Sequence, residues 1–105
     1  MRRYEVSFDR DATADLLSIR NHIAEARGED FAEAFASRVI EYCERLADLP
    51  HRGTRHDEIR PGLRTVAWRK TMTIAFRVSD EPPRVPIVAL LYRGRDVLAA
   101  LRAKS

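Results

Sequence analysis

The chemistry available to this chain is mainly that of arginine and lysine, and these cations lie unevenly along it. Residues 51–105 hold 12 Arg and Lys against 5 Asp and Glu, a balance of +7, whereas residues 1–50 hold 7 Arg against 11 Asp and Glu, a balance of −4. Guanidinium and ammonium groups bind phosphates and carboxylates through charge-assisted hydrogen bonds. We therefore expect the second half to form a surface that binds an anion or an acidic partner.

A basic set in the middle of the chain could contact nucleic acid phosphates, and Trp68 beside it could stack on a base. Its members are Arg52, Arg55, Arg60, Arg64, Arg69 and Lys70. A solvated charged face is the alternative for any one of these side chains. Charge alone does not distinguish an acidic protein, a complex of protein with DNA, or RNA as the partner.

The sequence predicts no metal centre, cofactor site or nucleophilic catalytic group. His51 and His56 lie five residues apart beside Asp57 and Glu58, but loop ligands without cysteine form a poor tetrahedral set, so surface histidines are expected. Cys43 is the only cysteine, and its core-facing position on a predicted helix indicates a buried, inert thiol. The four glycines do not form a phosphate-binding loop.

Length and composition indicate one ordinary globular domain over residues 1–105, with 45% hydrophobic and 33% charged residues. The longest apolar run, residues 85–92, is far shorter than the roughly 20 residues that a membrane helix requires. The N-terminus carries no apolar signal segment. With a single cysteine and no disulfide framework, the chain is expected to work in the reducing cytoplasm.

The first half of the chain predicts one strand and two helices. Residues 3–8 alternate apolar and polar side chains, which is typical of a half-buried strand. Apolar residues at three- to four-residue spacing over 12–23 predict the first helix. Asp9 or Asp11 could cap its start, and Gly28 is expected to end it.

A second helix is predicted from about Phe31 to Asp48, with a broad apolar face that needs covering on more than one side. Asp30 and Glu33 have the spacing of a capping box at its start. Because only about four residues separate the two helices, they are expected to form an antiparallel hairpin.

After Pro50 the pattern changes to that of three strands. Residues 63–68 and 72–78 alternate between two faces, and the residues between them fit a tight turn. Residues 79–84 are predicted to form a longer loop, and residues 85–92 to form a central strand buried on both faces.

These elements together predict an α+β domain. The order is β-α-α-β-β-β, an antiparallel sheet with an N-terminal helical hairpin packed on one face. Asp96 could cap a short C-terminal helix that would complete the fold.

Several short phrases follow one another across nearly the whole chain. They are Ala12…Asp15-Leu16…Ile19, Leu46…Leu49-Pro50…Gly53, Gly62-Leu63-Arg64, Ile74-Ala75-Phe76-Arg77-Val78 and Leu91-Tyr92-Arg93-Gly94-Arg95-Asp96-Val97. Each phrase alone is common in proteins. In this order, in a chain of this length, they resemble the ParE/RelE superfamily of type II toxin–antitoxin toxins, and the ParE branch most of all.

The resemblance implies a toxin that is neutralised by a tightly bound antitoxin of the ParD type. Toxins of the ParE branch inhibit DNA gyrase by binding and need no catalytic site, and such systems stabilise plasmids. RelE-branch relatives instead cut messenger RNA on the ribosome. A fold alone does not choose between these activities.

Cleavage of RNA through its 2′-hydroxyl requires a base, an acid and cations around the phosphorane. RelE-like nucleases place an arginine in the middle of the second hairpin strand, where Thr73 falls in this chain. The chain also ends at Ser105 without the tyrosine that many of these nucleases carry after the last strand. Both departures count against cleavage. Arg77 on the same strand face as Thr73, with Tyr92 as an acid and Arg93 as a phosphate binder, keeps the nuclease alternative open.

The first hypothesis is therefore a ParE-like toxin that poisons another enzyme by binding. Its candidate target-binding residues are Arg69, Lys70, Arg77, Tyr92, Arg93 and Arg95. The cations would complement a negatively charged target, and the tyrosine would add apolar contact. The alternatives are a RelE-like ribosome-dependent mRNA endoribonuclease and a non-toxic binding or regulatory member of the fold. We expect neither sequence-specific nucleic acid binding nor a membrane partner.

Overall fold

The computed structural model describes residues 3–93 and 96–104. Three helices and six strands form this part of the chain, with a 3₁₀ turn at Arg45–Ala47. In chain order they are β1 (Glu5–Phe8), α1 (Arg10–Arg27), α2 (Glu29–Glu44), β2 (Thr54–Arg55), β3 (Leu63–Trp68), β4 (Met72–Arg77), β5 (Ser79–Asp80), β6 (Pro83–Tyr92) and α3 (Val97–Lys104). The predicted α+β order is confirmed, with two very short strands, β2 and β5, in addition.

The strands form one sheet in the order β1-β6-β4-β3-β2, and β5 pairs with the start of β6. The central pairs β3–β4 and β4–β6 are antiparallel, as predicted. The first strand differs, because β1 runs parallel to β6. Side-chain alternation fixes which face of a strand is buried but not the direction of its neighbour, so the sequence did not reveal this pairing.

The α1–α2 hairpin covers one face of the sheet and encloses the main core. Val39 of α2 and Leu46 after it pack with Ile74, Phe76 and Ile87 of the sheet, and all five side chains are fully buried. Burial of each such side chain contributes about 1.5–3 kcal/mol. This packing explains the broad apolar face of α2 and confirms the predicted position of the hairpin.

The turn between the two helices is tighter than the predicted four residues. Gly28 alone joins them, with φ 92° and ψ 163°, a conformation that is essentially restricted to glycine. Its amide donates to the carbonyl of Ala24 and its carbonyl accepts from the amide of Ala32, so one residue ends α1 and begins α2. Gly28 as the end of the first helix is therefore confirmed.

The capping hydrogen bonds predicted for Asp9 and for the capping box of the second helix are not formed, and Asp11, the other candidate at the first helix, lies in the first turn of α1. Asp9 is the N-cap residue of α1, but its side chain makes no capping hydrogen bond among the described residues. The capping box is also absent, because α2 begins at Glu29. Glu33 instead accepts a hydrogen bond from Nε of Arg20, at 2.7 Å, and ties the two helices together.

The opposite face of the sheet is closed by α3. Leu101 of α3 is 2% exposed and packs with Leu63, Ala89 and Leu91. The Oδ1 atom of Asp96 accepts a hydrogen bond from the amide of Ala99 at 3.1 Å, which confirms the predicted cap of this helix. The central strand β6 is therefore buried on both faces, as its apolar run predicts. Within the described residues, every helix falls short of the length and apolar character needed to cross a bilayer.

Of the three glycines that the structure describes, Gly53 is expected to tolerate substitution least. A Cβ atom there would lie 2.2 Å from the carbonyl oxygen of Thr65 and 2.6 Å from Cγ1 of Val66, and its φ is 82°. At Gly28 a Cβ atom would meet open space. The free energy of unfolding of Gly28→Ala should therefore fall only by the conformational cost of about 1–3 kcal/mol. That of Gly53→Ala should fall further.

Unfolding by urea measures both variants against the wild-type chain. A Gly53→Ala variant at least as stable as Gly28→Ala would contradict the close approach of this loop to β3.

Candidate functional site

The turn between β3 and β4 presents two cations side by side. Arg69 and Lys70 are its central residues, and the amide of Thr71 closes it by donating to the carbonyl of Trp68 at 3.2 Å. Their φ angles are 50° and 59°. Positive φ at both central positions is the pattern of a type I′ turn, which favours Asn and Gly. The predicted tight turn is confirmed, and basic residues occupy positions where they cost stability.

The end of β6 places a third cation beside this turn. Met72 pairs with Tyr92 in the antiparallel ladder, and the amide of the next residue, Arg93, donates to the carbonyl of Thr71 at 2.8 Å. Arg93 has a φ of 35°. Among the described residues, Arg69, Lys70 and Arg93 are the three that adopt positive φ without being glycine. We call these three residues the basic corner.

A small cleft of about 140 Å³ opens between two members of the basic corner. Lys70 and Arg93 line it together with the side chains of Thr71 and Thr73 and apolar groups from β6 and α3. Cations and hydroxyl groups both donate hydrogen bonds, so the lining suits an anion. Thr73 does lie in the cleft, at the position where the resemblance expects the arginine of a nuclease.

Two aromatic rings lie beneath the basic corner and support its arginines. The guanidinium carbon of Arg69 is 4.7 Å from the ring centroid of Trp68, and that of Arg93 is 5.4 Å from the ring centroid of Tyr92. Phe35 of α2 meets both rings edge-on, with centroids 5.2 Å from Trp68 and 6.3 Å from Tyr92. Trp68 is only 6% exposed, so the suggestion that it stacks on a base is wrong.

The basic corner is not neutralised by neighbouring carboxylates. Within residues 3–93 and 96–104, none of its three cations forms an ion pair. By contrast, Arg3 pairs with Asp48 at 2.6 Å and Arg55 with Asp57 at 2.8 Å. Two of the three, Lys70 and Arg93, line the same cleft, where cations without a described carboxylate partner raise the local positive potential and attract anions.

The other sequence candidates lie elsewhere. Arg77 is exposed at the opposite end of β4, where it pairs with Leu63. Arg95 lies outside the described residues. Of the wider basic set, Arg64 donates to the carbonyl of Arg52 at 3.3 Å, and Arg60 lines a separate cavity beside Asp9 and Asp11. The structure therefore brings together four of the six candidates: Arg69, Lys70, Tyr92 and Arg93.

The cleft has a lining that suits an anion, but among its described residues there is no carboxylate, histidine or tyrosine for proton transfer. Tyr92 packs away from it, with its ring 6.3 Å from that of Phe35 and 6.1 Å from that of His22. This arrangement leaves the tyrosine unsuited to act as the acid of a reaction in the cleft. The geometry supports recognition of charge there.

The histidines and the cysteine have structural surroundings. His56 is 9% exposed and its Nε2 atom lies 2.9 Å from Oγ1 of Thr65, so the expected surface position is wrong for this residue. His51 is exposed, with Nε2 3.3 Å from the carboxylate of Asp80. Among the described residues, no group of three or more potential ligands could hold a metal ion. Cys43 is fully buried, as predicted.

From the sequence, a groove for an antitoxin helix is expected at the second helix and the rim of the sheet, whereas the described residues form a surface groove along α1. Two adjoining depressions of about 510 Å³ and 280 Å³ share Ser18 and His22, and they run from the outer side of α1 to the end of β6. Leu17 lines the first and is 58% exposed, an apolar side chain on the polar face of its helix. The pairing of β1 with β6 ends at Ile87. Beyond it, Asp15 accepts a hydrogen bond from the amide of Leu90 at 3.0 Å. In the sequence, the feature that could have indicated this groove is Leu17, an apolar residue outside the apolar stripe of α1.

Comparison with known proteins identifies the family. The family model of the ParE toxin of type II toxin–antitoxin systems, parDE, matches residues 6–97. This chain belongs to the ParE toxin family. No curated protein matches it in sequence.

Two solved structures share the ParE fold of this chain. One is a chain of the chromosomal ParDE toxin–antitoxin system from P. aeruginosa, with a TM-score of 0.72 and 22% identity over 86% of this chain and 96% of that one. The other belongs to the toxin–antitoxin complex RelBE2 from Mycobacterium tuberculosis, with a TM-score of 0.61 and 23% identity over 87% of this chain and 99% of that one. At these identities the likeness concerns the fold, which both branches of the superfamily share.

The single thiol of this ParE family member is expected to be unreactive until the chain unfolds. Burial raises the pKa of Cys43 from 9.0 to about 12, so the native thiol stays protonated where an unfolded one ionises. Between these two pH values the unfolded state releases a proton that the folded state keeps, so stability falls as pH rises through that window. Thiol labelling at mildly alkaline pH should need a denaturant.

The matched variant is Cys43→Ala, which removes the titrating group and leaves the others. Its free energy of unfolding should decline less steeply than that of the wild-type chain between pH 9 and pH 12. Equal slopes, or labelling of the native chain at the rate of the unfolded one, would contradict the burial of this thiol.

Proposed function

We propose that this ParE family member inhibits DNA gyrase by binding and is neutralised by a cognate antitoxin of the ParD type. The observation that carries the proposal is the basic corner, whose three cations form no ion pair with any described residue. Two of them, Lys70 and Arg93, line a cleft whose described lining holds no carboxylate, histidine or tyrosine. Such a surface recognises a negatively charged target and performs no reaction on it. Family membership supports the same assignment, because the ParE branch acts in this way.

The candidate residues at the corner have distinct roles in this proposal. Lys70 and Arg93 offer charge at the cleft, and Arg69 extends it along the turn. Tyr92 supports the guanidinium of Arg93 and adds apolar surface at its rim. Arg77 and Arg95 stay candidates for a wider contact area. A positive surface of this kind speeds the encounter with gyrase and its bound DNA, both of which are reached in the cytoplasm.

An antitoxin is proposed to occupy the groove along α1. Of the two solved structures described above, one is named for a ParDE toxin–antitoxin system and the other for a toxin–antitoxin complex, which supports a partner of that kind here. The exposed Leu17 would accept an apolar anchor from the antitoxin, as helical segments do when they dock into grooves. The groove and the basic corner meet near Tyr92, so a bound antitoxin could block the target surface. A toxin–antitoxin pair encoded on a plasmid would stabilise the inheritance of that plasmid.

A ribosome-dependent ribonuclease is the second candidate function. The fold shared with a chain of the RelBE2 complex favours it, as does the location of Arg93 in the cleft, although Thr73 there replaces the arginine of such nucleases. The described lining holds no carboxylate, histidine or tyrosine to act as a general base, which counts against it. A non-toxic binding module is the third candidate. Normal growth of cells that express the chain alone would distinguish it from both toxins.

Activity assays with the purified chain separate these functions. We expect inhibition of supercoiling by purified gyrase and no effect on translation in an extract. Arg93→Ala combined with Arg95→Ala should relieve growth arrest in cells while antitoxin binding survives, because charge complementarity to the target is lost.

The opposite pattern, with transcripts cleaved in the ribosomal A site and normal supercoiling, would assign the nuclease function. Unchanged killing by the double variant would contradict the role given to the end of β6.

Substitution in the groove tests the antitoxin site. Leu17→Asp places a charge at an exposed position, so the fold should persist while the Kd for the antitoxin rises by about tenfold or more, a loss of at least about 1.4 kcal/mol. Calorimetry with the purified antitoxin measures the change.

Leu98→Asp is the matched control, because Leu98 is also an exposed leucine, at 44%, but lies on α3 outside the groove. Equal losses in the two variants, or no loss in Leu17→Asp, would place the antitoxin elsewhere.

A further inference from the structure

The backbone of the basic corner indicates that its cations serve binding at a cost to stability. Residues with a Cβ atom rarely adopt positive φ, and Asn or Gly at the β3–β4 turn would relieve the strain. Yet all three such residues in the described chain are basic and adjoin one cleft: Arg69, Lys70 and Arg93. Strain concentrated at one place in a fold is a reason to look for function there.

The cations of the basic corner are spread more widely than one carboxylate, because Lys70 and Arg93 line the cleft and Arg69 lies outside its lining. A carboxylate is planar, and one bidentate arginine engages both of its oxygens. Here Lys70 and Arg93 both line the cleft, together with Thr71 and Thr73. A phosphodiester has oxygens in several directions, and its neighbours along a nucleic acid extend the charge toward Arg69. The donor set therefore fits a run of phosphates better than an acidic side chain.

The aromatic rings of the corner exclude recognition by base stacking. Single-stranded nucleic acids are held largely by bases stacked on exposed aromatic faces. The faces of Trp68 and Tyr92 are covered by Arg69 and Arg93, and Phe35 packs against both rings. Contacts to phosphates alone position a protein on a duplex and do not read its sequence.

We propose that the basic corner is a phosphate site through which the toxin holds the backbone of duplex DNA without reading its sequence. Lys70 and Arg93 take one phosphate in the cleft, and Arg69 contacts the next. The inference rests on the proposed function only in naming gyrase-bound DNA as the duplex concerned; binding to phosphates stands independently of it.

The test is the salt dependence of binding to a short, labelled duplex of mixed sequence. Three phosphate contacts predict that log K falls with log salt with a slope of about −2.7 between about 50 and 200 mM salt. The variant Arg69→Asn/Lys70→Gly removes two of the contacts, so its slope should be shallower by about 1.8. The thermal midpoint of this variant should equal or exceed that of the wild-type chain, because Asn and Gly suit the turn.

Two further variants control for charge and for folding. Arg38→Gln/Arg84→Gln removes two exposed charges from α2 and from the start of β6, and should keep the wild-type slope. Lys70→Arg keeps the charge at the turn and should keep the affinity. An unchanged slope in the turn variant, or the same loss in the control, overturns the proposal. A lower thermal midpoint in the turn variant overturns it too, since the cations would then serve the fold.

Competition identifies the class of anion. A duplex of unrelated sequence should displace the labelled one equally well, whereas an acidic peptide and single-stranded RNA should compete only weakly. Preferential displacement by the peptide assigns the corner to an acidic protein and overturns the proposal, and preference for the RNA does the same.

Gyrase assays separate this inference from the proposed function. Loss of both duplex binding and gyrase inhibition in the turn variant supports the two together. Wild-type inhibition by a turn variant that no longer binds the duplex overturns the assignment of gyrase-bound DNA to this corner, and leaves gyrase as the target. A wild-type chain that binds the duplex with the expected slope but never inhibits gyrase overturns the proposed function and leaves the phosphate site.

Discussion

The antiparallel pairing of β4 with β6 is the constraint on which the site depends. It places Tyr92 opposite Met72, and the hydrogen bond from the amide of Arg93 to the carbonyl of Thr71 extends the pairing beyond the last ladder residue. Two chain segments that are about twenty residues apart thereby meet at one end of the sheet. Without this register the cations of the β3–β4 turn and of the β6 end would lie on separate surfaces.

The core beneath the sheet determines how these cations are presented. Phe35 of α2 holds the rings of Trp68 and Tyr92 edge-on, and each ring carries an arginine on its face. The helical hairpin therefore supports the basic corner indirectly, through two aromatic side chains. Desolvated contacts of this kind between a cation and a ring are worth up to about 2 kcal/mol, and exposed ones about 0.5–1 kcal/mol.

Much of this fold could be predicted from periodicity, because alternation over β3 and β4 and helical spacing over α1 report which faces are buried. The parallel pairing of β1 could not, since alternation carries no information on strand direction. The turn was predictable from its position between two strands, whereas the cover of Trp68 by Arg69 depends on tertiary packing. Arg77 shares a strand face with Thr73, but five residues of extended chain separate it from the β3–β4 turn. The pattern of charges along the sequence does not show this distance.

The account depends on the basic corner meeting the target directly. The structure of the toxin bound to gyrase and DNA tests this most directly, because it shows which face of the toxin is covered. We predict that Lys70 and Arg93 lie within hydrogen-bonding distance of phosphate oxygens and that α1 stays free for the antitoxin. A complex in which the corner faces solvent and another surface makes the contact would contradict the account.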